Sequence, residues 1–268
     1  MVKPLHVGQS TRNGLFAALL AQGGFTANQG AFEHKQGFFN VFNGAGNYDA
    51  AKILPAWANP LDIVRPAIAI KQYPCCGSTH SALDAALGLA REHKPAADDI
   101  ERIDVWTHPR RLEHTNRPDP QSPLDAKFSV QYCMARAFLD RRITIEQFEG
   151  DAYGEPAVRK LLPRVHAATY TTAQFPAENH FGAEVKVTLR GGTVLGTKVD
   201  QPAGRTSANP LPASLLKEKF DNCAKRALPA ERVGPLYSAI QGFENLKDAR
   251  EMTAIMAGEP GRTRAAAA

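Results

Sequence analysis

The sequence predicts an α+β protein, in which a mixed block over residues 67–202 is inserted between helices of another layer. Two observations carry this. Helical periodicity dominates both ends of the chain, and alternating, strand-like stretches fall only in the middle. The implied boundaries are 1–66 for a first helical part, 67–202 for the mixed block, 203–257 for returning helices and 258–268 for a disordered tail.

The elements follow in order. Residues 4–22 read as a helix: Pro4 suits a first turn, Leu15, Phe16, Leu19 and Leu20 form an apolar stripe, and Gly23-Gly24 ends it. A second helix is expected over "AFEHKQGFFNVFN", and "LPAWANP" is a proline-broken loop. "AIAIKQY" alternates like a strand edge. Ser78 or Thr79 is expected to cap a helix running to about His93. "DIERIDVWTHP" is biased to a strand. "HTNRPDPQSP" is turn-rich, so His114 and Arg117 read as surface residues. "AKFSVQYCMARAFLD" is a helix with Phe128, Tyr132, Ala135 and Leu139 on one side, and "EPAVRKLLPRV" is a short helix. "AEVKVTLRGGTVLGTKVD" is a β-hairpin turning on two glycines. "PASLLKEKFDNCAKRAL" and "ERVGPLYSAIQGFENL" are helical. The flanking helices are few and one-sided, which predicts association.

Composition excludes some functions. The net charge of +5 permits nucleic acid, but basic residues are scattered among acids with no aromatic interleaving, so no nucleic-acid partner is expected. No apolar run spans a bilayer, so no membrane partner is expected, and the N-terminus lacks signal-peptide order. The cytoplasm is the expected location. Cys75, Cys76, Cys133 and Cys223 make no disulfide framework, which suits a reducing compartment.

The stretch "IKQYPCCGSTHSALDAALGLARE" concentrates the chemistry. Lys71 precedes Cys75, Cys76 and Gly77, and Ser78, Thr79 and His80 open a helix. A metal site, a redox pair and an anion pocket compete. Adjacent cysteines chelate one ion awkwardly, so no metal is expected. A cation, a glycine, two hydroxyls and a helix start suit a carboxylate or phosphate. A capped helix over a buried cysteine pair explains the same residues. Lys3 and His6 open the first helix, where a positive charge opposes the helix dipole. They read either as a solvated helix start or as anion-facing. Tyr132 reads as core or as a site residue. There is no G-x-S-x-G elbow and no phosphate loop.

"KPLHVGQSTRNGLFAALLAQGGF", "IKQYPCCGSTHSALDAALGL" and "AKFSVQYCMARAFLD" together resemble the MmgE/PrpD family. That family includes 2-methylcitrate dehydratase, cis-aconitate decarboxylase and iminodisuccinate epimerase. The resemblance runs from residue 3 to about residue 257. It implies a large all-α domain carrying a smaller α+β lid, and cofactor-independent lyase or isomerase chemistry on small di- or tricarboxylates. It implies catalytic roles for Lys3, Lys71 and Tyr132, and substrate binding by His6, Ser78, Thr79 and His80. No metal or organic cofactor is implied. In family members a long helical segment bearing an aspartate and histidines for acid–base work precedes the "KPLH" stretch. The expectation is therefore a chain weak or inactive by itself, either homo-oligomeric or completed by a partner chain. The alternative is a non-catalytic carboxylate-binding module.

Overall fold

The computed structural model describes residues 2–55 and 57–257, in two compact units, Met1–Asp62 and Ile63–Ala268. The expected disordered tail, 258–268, lies outside the described residues. Helices and one four-stranded mixed sheet make up the second unit, a composition compatible with the α+β class.

The first unit holds helix α1 (Val2–Gln22), none of whose residues is buried, and α2 (Phe38–Asn43). The expected second helix is thus shorter than read. Residues 31–37 turn instead, and they turn tightly at Gly37, where a Cβ would lie 2.7 Å from the Ala31 carbonyl oxygen. Phe32, Phe38, Phe39, Phe42 and Tyr48 cluster beside that turn, with ring centroids 4.8–6.0 Å apart.

In the second unit the order is α3 (His80–His93), β1 (Ile100–Thr107), α4 (Pro109–Thr115), α5 (Pro123–Lys127), α6 (Val130–Asp140), α7 (Pro156–Leu161), β2 (Val165–Thr169), β3 (Ala183–Leu189), β4 (Val194–Val199), α8 (Ala213–Ala224), α9 (Ala230–Gln241) and α10 (Ala249–Met256). The sheet order is β2-β1-β3-β4. β1 runs parallel to β2, with Val105 opposite Ala167, and antiparallel to β3, with Val105 opposite Val185. β3 and β4 form the expected hairpin, and Gly191 and Gly192 turn it at φ +98° and +86°, which side chains resist.

α3 packs on β1, β3 and β4, and α6 packs on α3 and β2. Leu83, Ala86 and Leu87 meet Ile103, Val105, Val185 and Val187 in one core with Met134 and Phe138, all 2% exposed or less. Small side chains on α3 let that helix sit close to the sheet.

Three readings are corrected. "AIAIKQY" is an irregular segment, with one bond from the Ile70 amide to the Gly204 carbonyl at 2.8 Å. The helix expected over 126–140 is interrupted at Phe128. Ser129 caps a new start there, its hydroxyl accepting from the Tyr132 amide at 2.9 Å. β2 is a strand where the sequence offered only the tail of a helix. Among the described residues no helix is long and apolar enough to cross a membrane.

Candidate functional site

Lys71 lies on the irregular segment before α3, and its Nζ donates to the Cys75 carbonyl at 3.3 Å. Gly77–Thr79 form a single 3-10 turn that delivers the chain into α3. Opposite stands the loop 202–205. Gly204 has φ +76°, and a Cβ there would lie 2.7 Å from the Ile70 carbonyl oxygen, so only glycine lets the two segments touch. Between them opens a small recess of about 40 Å³, lined by Lys71, Gly77, His80, Pro202, Gly204 and Arg205.

His80 is 4% exposed, and its Nε2 is buried without a hydrogen-bond partner among the described residues. Its ring meets Tyr73 edge-on at 5.1 Å. A buried imidazole nitrogen with nothing to bond carries a desolvation cost that a ligand in the recess would relieve.

Above the recess, the Ser78 hydroxyl lies 2.9 Å from His114 Nε2 and 3.5 Å from an Arg111 guanidinium nitrogen. Arg111 also donates from Nε to the His180 carbonyl at 3.1 Å. Arg111 and Arg205 both stack on the Phe181 ring, each 4.4 Å from its centroid. Burial, then Arg205 and Arg110, lower the Arg111 guanidinium from its usual value. Among the described residues the polar partners of Lys71 and Arg111 are carbonyls and a hydroxyl, and none is a carboxylate. Three cations without acids form a standing attraction for an anion.

Cys75 and Cys133 point elsewhere. Cys75 is buried beneath the turn, with its Sγ 3.2 Å from Thr79 Oγ1, and Cys133 on α6 approaches the same hydroxyl at 3.8 Å. Burial pushes the Cys75 thiol up, but the neighbouring Cys133, His80 and Thr79 outweigh it and hold Cys75 below the usual thiol range. The neighbouring Cys75 and burial push Cys133 well above that range. Cys76, the other half of the pair, is half-buried and free. Among the described residues no group of three or more His, Cys, Asp or Glu side chains could hold a metal ion.

The expected residues therefore separate. Lys71, Ser78 and His80 gather at the recess and its rim. Thr79 is fully buried, and its hydroxyl donates back to the Cys76 carbonyl at 2.8 Å, so neither it nor Ser78 caps α3 as expected. Tyr132 is 0% exposed, its hydroxyl bonded to the Gln147 carbonyl and accepting from Arg136 Nε at 2.9 Å. That phenol has both of its partners inside the core of this unit. Lys3 and His6 are exposed on α1 in the other unit. The sequence reading missed Arg111 and Arg205 and left His114 as a surface residue. The only trace of them was a basic pair after a strand and an arginine after a glycine.

The chain matches the model of the MmgE/PrpD N-terminal domain over residues 1–51 and that of the MmgE/PrpD C-terminal domain over residues 73–236. It is 32% identical over 263 residues to cis-aconitate decarboxylase of Homo sapiens, covering 96% of this chain and 53% of that relative. It is 29% identical to the Mus musculus cis-aconitate decarboxylase over 96% of this chain and 52% of that protein. It is also 29% identical to 2-methylcitrate dehydratase of Cupriavidus necator, over 63% of this chain and 37% of that protein. The chain thus spans about half the length of the curated relatives it matches.

Proposed function

The chain belongs to the MmgE/PrpD family, and on that premise we propose that it takes part in lyase or isomerase chemistry on a small di- or tricarboxylate bound at the Lys71 recess. The observation that carries this reading is the meeting of Lys71, Arg205 and the unpartnered His80 Nε2 on one cavity. Removing a proton beside a carboxylate spreads charge onto that carboxylate. Fixed cations in a partly desolvated site stabilise such charge better than water does. Lys71 neutralises the carboxylate as a point charge, and His80 supplies a hydrogen bond or a proton at Nε2. The block 67–202 would act as the lid that the resemblance implies.

A second reading is favoured by the make-up of the recess. It holds cations and one imidazole but no carboxylate among its lining residues. In this reading the chain binds the carboxylate and contributes part of an active centre, with other proton carriers supplied from beyond the recess.

Titration calorimetry with citrate tests the shared premise. Lys71→Met should weaken binding at least tenfold, about 1.4 kcal/mol. Unchanged affinity in a folded variant overturns the assignment. Turnover of cis-aconitate or 2-methylcitrate by the purified chain separates the readings: activity supports the first, and binding without turnover supports the second.

A further inference from the structure

Two thiols from distant parts of the chain converge on one oxygen. Cys75 sits on the irregular segment that carries Lys71, and Cys133 stands on α6. Cys75 Sγ lies 3.2 Å from Thr79 Oγ1, and Cys133 Sγ lies 3.8 Å from the same atom. Thr79 gives its one hydroxyl proton to the Cys76 carbonyl, so its oxygen faces the two sulfurs as an acceptor. Cys75 is 5% exposed and Cys133 0%, and both are free thiols. Among the described residues no hydrogen bond joins Cys76 Sγ to either sulfur. A bridge between adjacent cysteines would also close a small, strained ring. The partner that the fold gives Cys75 is therefore Cys133, not its neighbour in the sequence.

The two thiols are unlike. Their surroundings hold Cys75 below the usual thiol range and Cys133 well above it. Such a pair divides the work of thiol oxidation, because a thiolate attacks an oxidant and a protonated partner resolves the product. A small oxidant also has a route. Gly77 and His80 line the recess, and His80 neighbours Cys75. A volume of about 40 Å³ admits a molecule little larger than water. The sulfurs can approach each other from one side: Cys133 is packed in the core with Met134 and Phe138, whereas Cys75 belongs to a segment outside any helix or strand.

We propose that Cys75 and Cys133 form a redox modification site, in which a small hydroperoxide converts the two thiols into a disulfide that fastens the Lys71 segment to α6. The Cys75 sulfur attacks one peroxide oxygen and the O–O bond breaks. Cys75 becomes a sulfenic acid, and the second oxygen leaves as water with the Cys75 proton. The Cys133 sulfur then attacks the Cys75 sulfur and the S–O bond breaks. The hydroxyl leaves as water with the Cys133 proton. Two thiols thus give two electrons to one peroxide, and a dithiol reverses the change. Lys71 Nζ is bonded to the Cys75 carbonyl, so the bridge acts on the anchor of that lysine.

Hydrogen peroxide is the probe. It is applied to the full chain carrying Cys76→Ser and Cys223→Ser, which leaves two thiols, and to the unsubstituted chain alongside, with circular dichroism to verify folding. After peroxide is removed, each chain is unfolded, alkylated with iodoacetamide and weighed by mass spectrometry. The doubly substituted chain should lose two hydrogens and take up no alkyl group, and dithiothreitol should return both thiols. Peptide mapping of the unsubstituted chain should find Cys75 joined to Cys133. Adding Cys133→Ser should strand the first product, so that dimedone labels Cys75. Adding Cys75→Ser should leave Cys133 a thiol at the same dose. The site is overturned if both thiols are still alkylated after treatment, if sulfinic acids form in place of a bridge, or if the bridge joins two chains. A Cys75–Cys76 bridge in the unsubstituted chain overturns it as well. Should the serine variants fail to fold, the peptide map of the unsubstituted chain decides by itself.

Discussion

The Tyr73 hydroxyl donates to Asp84 Oδ1 at 2.6 Å, while the other oxygen of that carboxylate accepts from the Ala203 amide. One side chain on α3 thus joins the two segments that wall the recess.

Asp84→Ala should therefore cost about 1–3 kcal/mol in urea unfolding, because it strands a buried phenol and a backbone N–H. It should also weaken citrate through displacement of the 202–205 loop. Burial raises the Asp84 carboxyl above its ordinary value, against hydrogen bonds from Tyr73 and Ala203. A raised carboxyl favours the folded state at low pH and withdraws that benefit as pH rises through the folded pKa. Asp84→Asn should remove this slope and cost less than alanine, since its amide oxygen still accepts from Tyr73.

Tyr132→Phe should destabilise the chain by about 1–3 kcal/mol, since it deprives a buried carbonyl and the buried Arg136 of a shared partner. Citrate affinity should stay at its wild-type value. A loss of affinity without a loss of stability would restore Tyr132 to the binding site.

His108 Nδ1 accepts from the Arg110 amide at 3.1 Å, capping α4, and its Nε2 lies 3.1 Å from His180 Nδ1. The Nδ1 contact needs a His108 unprotonated at that nitrogen, and Nε2–H then donates to His180. Burial, then His180, Arg111 and Arg110, lower its imidazole from the ordinary value. A lowered imidazole stabilises the fold above the unfolded pKa, and that stability is lost as pH falls below about 6.5. The midpoint of thermal unfolding should drop over that range. His108→Asn, a neutral cap, should flatten the drop.

Dialysis against a chelator should change neither the unfolding midpoint nor citrate affinity, and elemental analysis should find no stoichiometric zinc or iron. Cys75 turns into the core towards Thr79, and among the described residues Cys76 has no ligand set around it. A metal lost together with the thiols in a Cys75→Ser, Cys76→Ser double variant would refute this.

Legibility in the sequence followed locality. The β3–β4 hairpin could be read because a period of two and a pair of glycines lie within one short stretch. β2 could not, because it has one buried side chain, Val165, among exposed or half-exposed neighbours and takes its order from β1. The same holds at the site. Lys71, Ser78 and His80 fall within ten residues and could be seen together. Arg111, Phe181 and Arg205 come from three separate segments that only the tertiary structure brings together. Tyr132 sits in a recognisable motif, but motif membership does not reveal which way a helix faces. Its partners Gln147 and Arg136 decide that it points into the core.

The parallel pairing of β1 with β2 also has a kinetic meaning. The hairpin β3–β4 closes over a few residues, so it can form early. Joining β1 to β2 requires the whole of 108–164, four helices included, to be gathered first, and such non-local pairing is slow. The recess depends on a still longer closure, from 71–80 to 202–205. It should be among the last features to form on refolding and the first to open on unfolding. A carboxylate ligand would then act on lifetime: it would retard unfolding of the native state and leave the refolding rate almost unchanged.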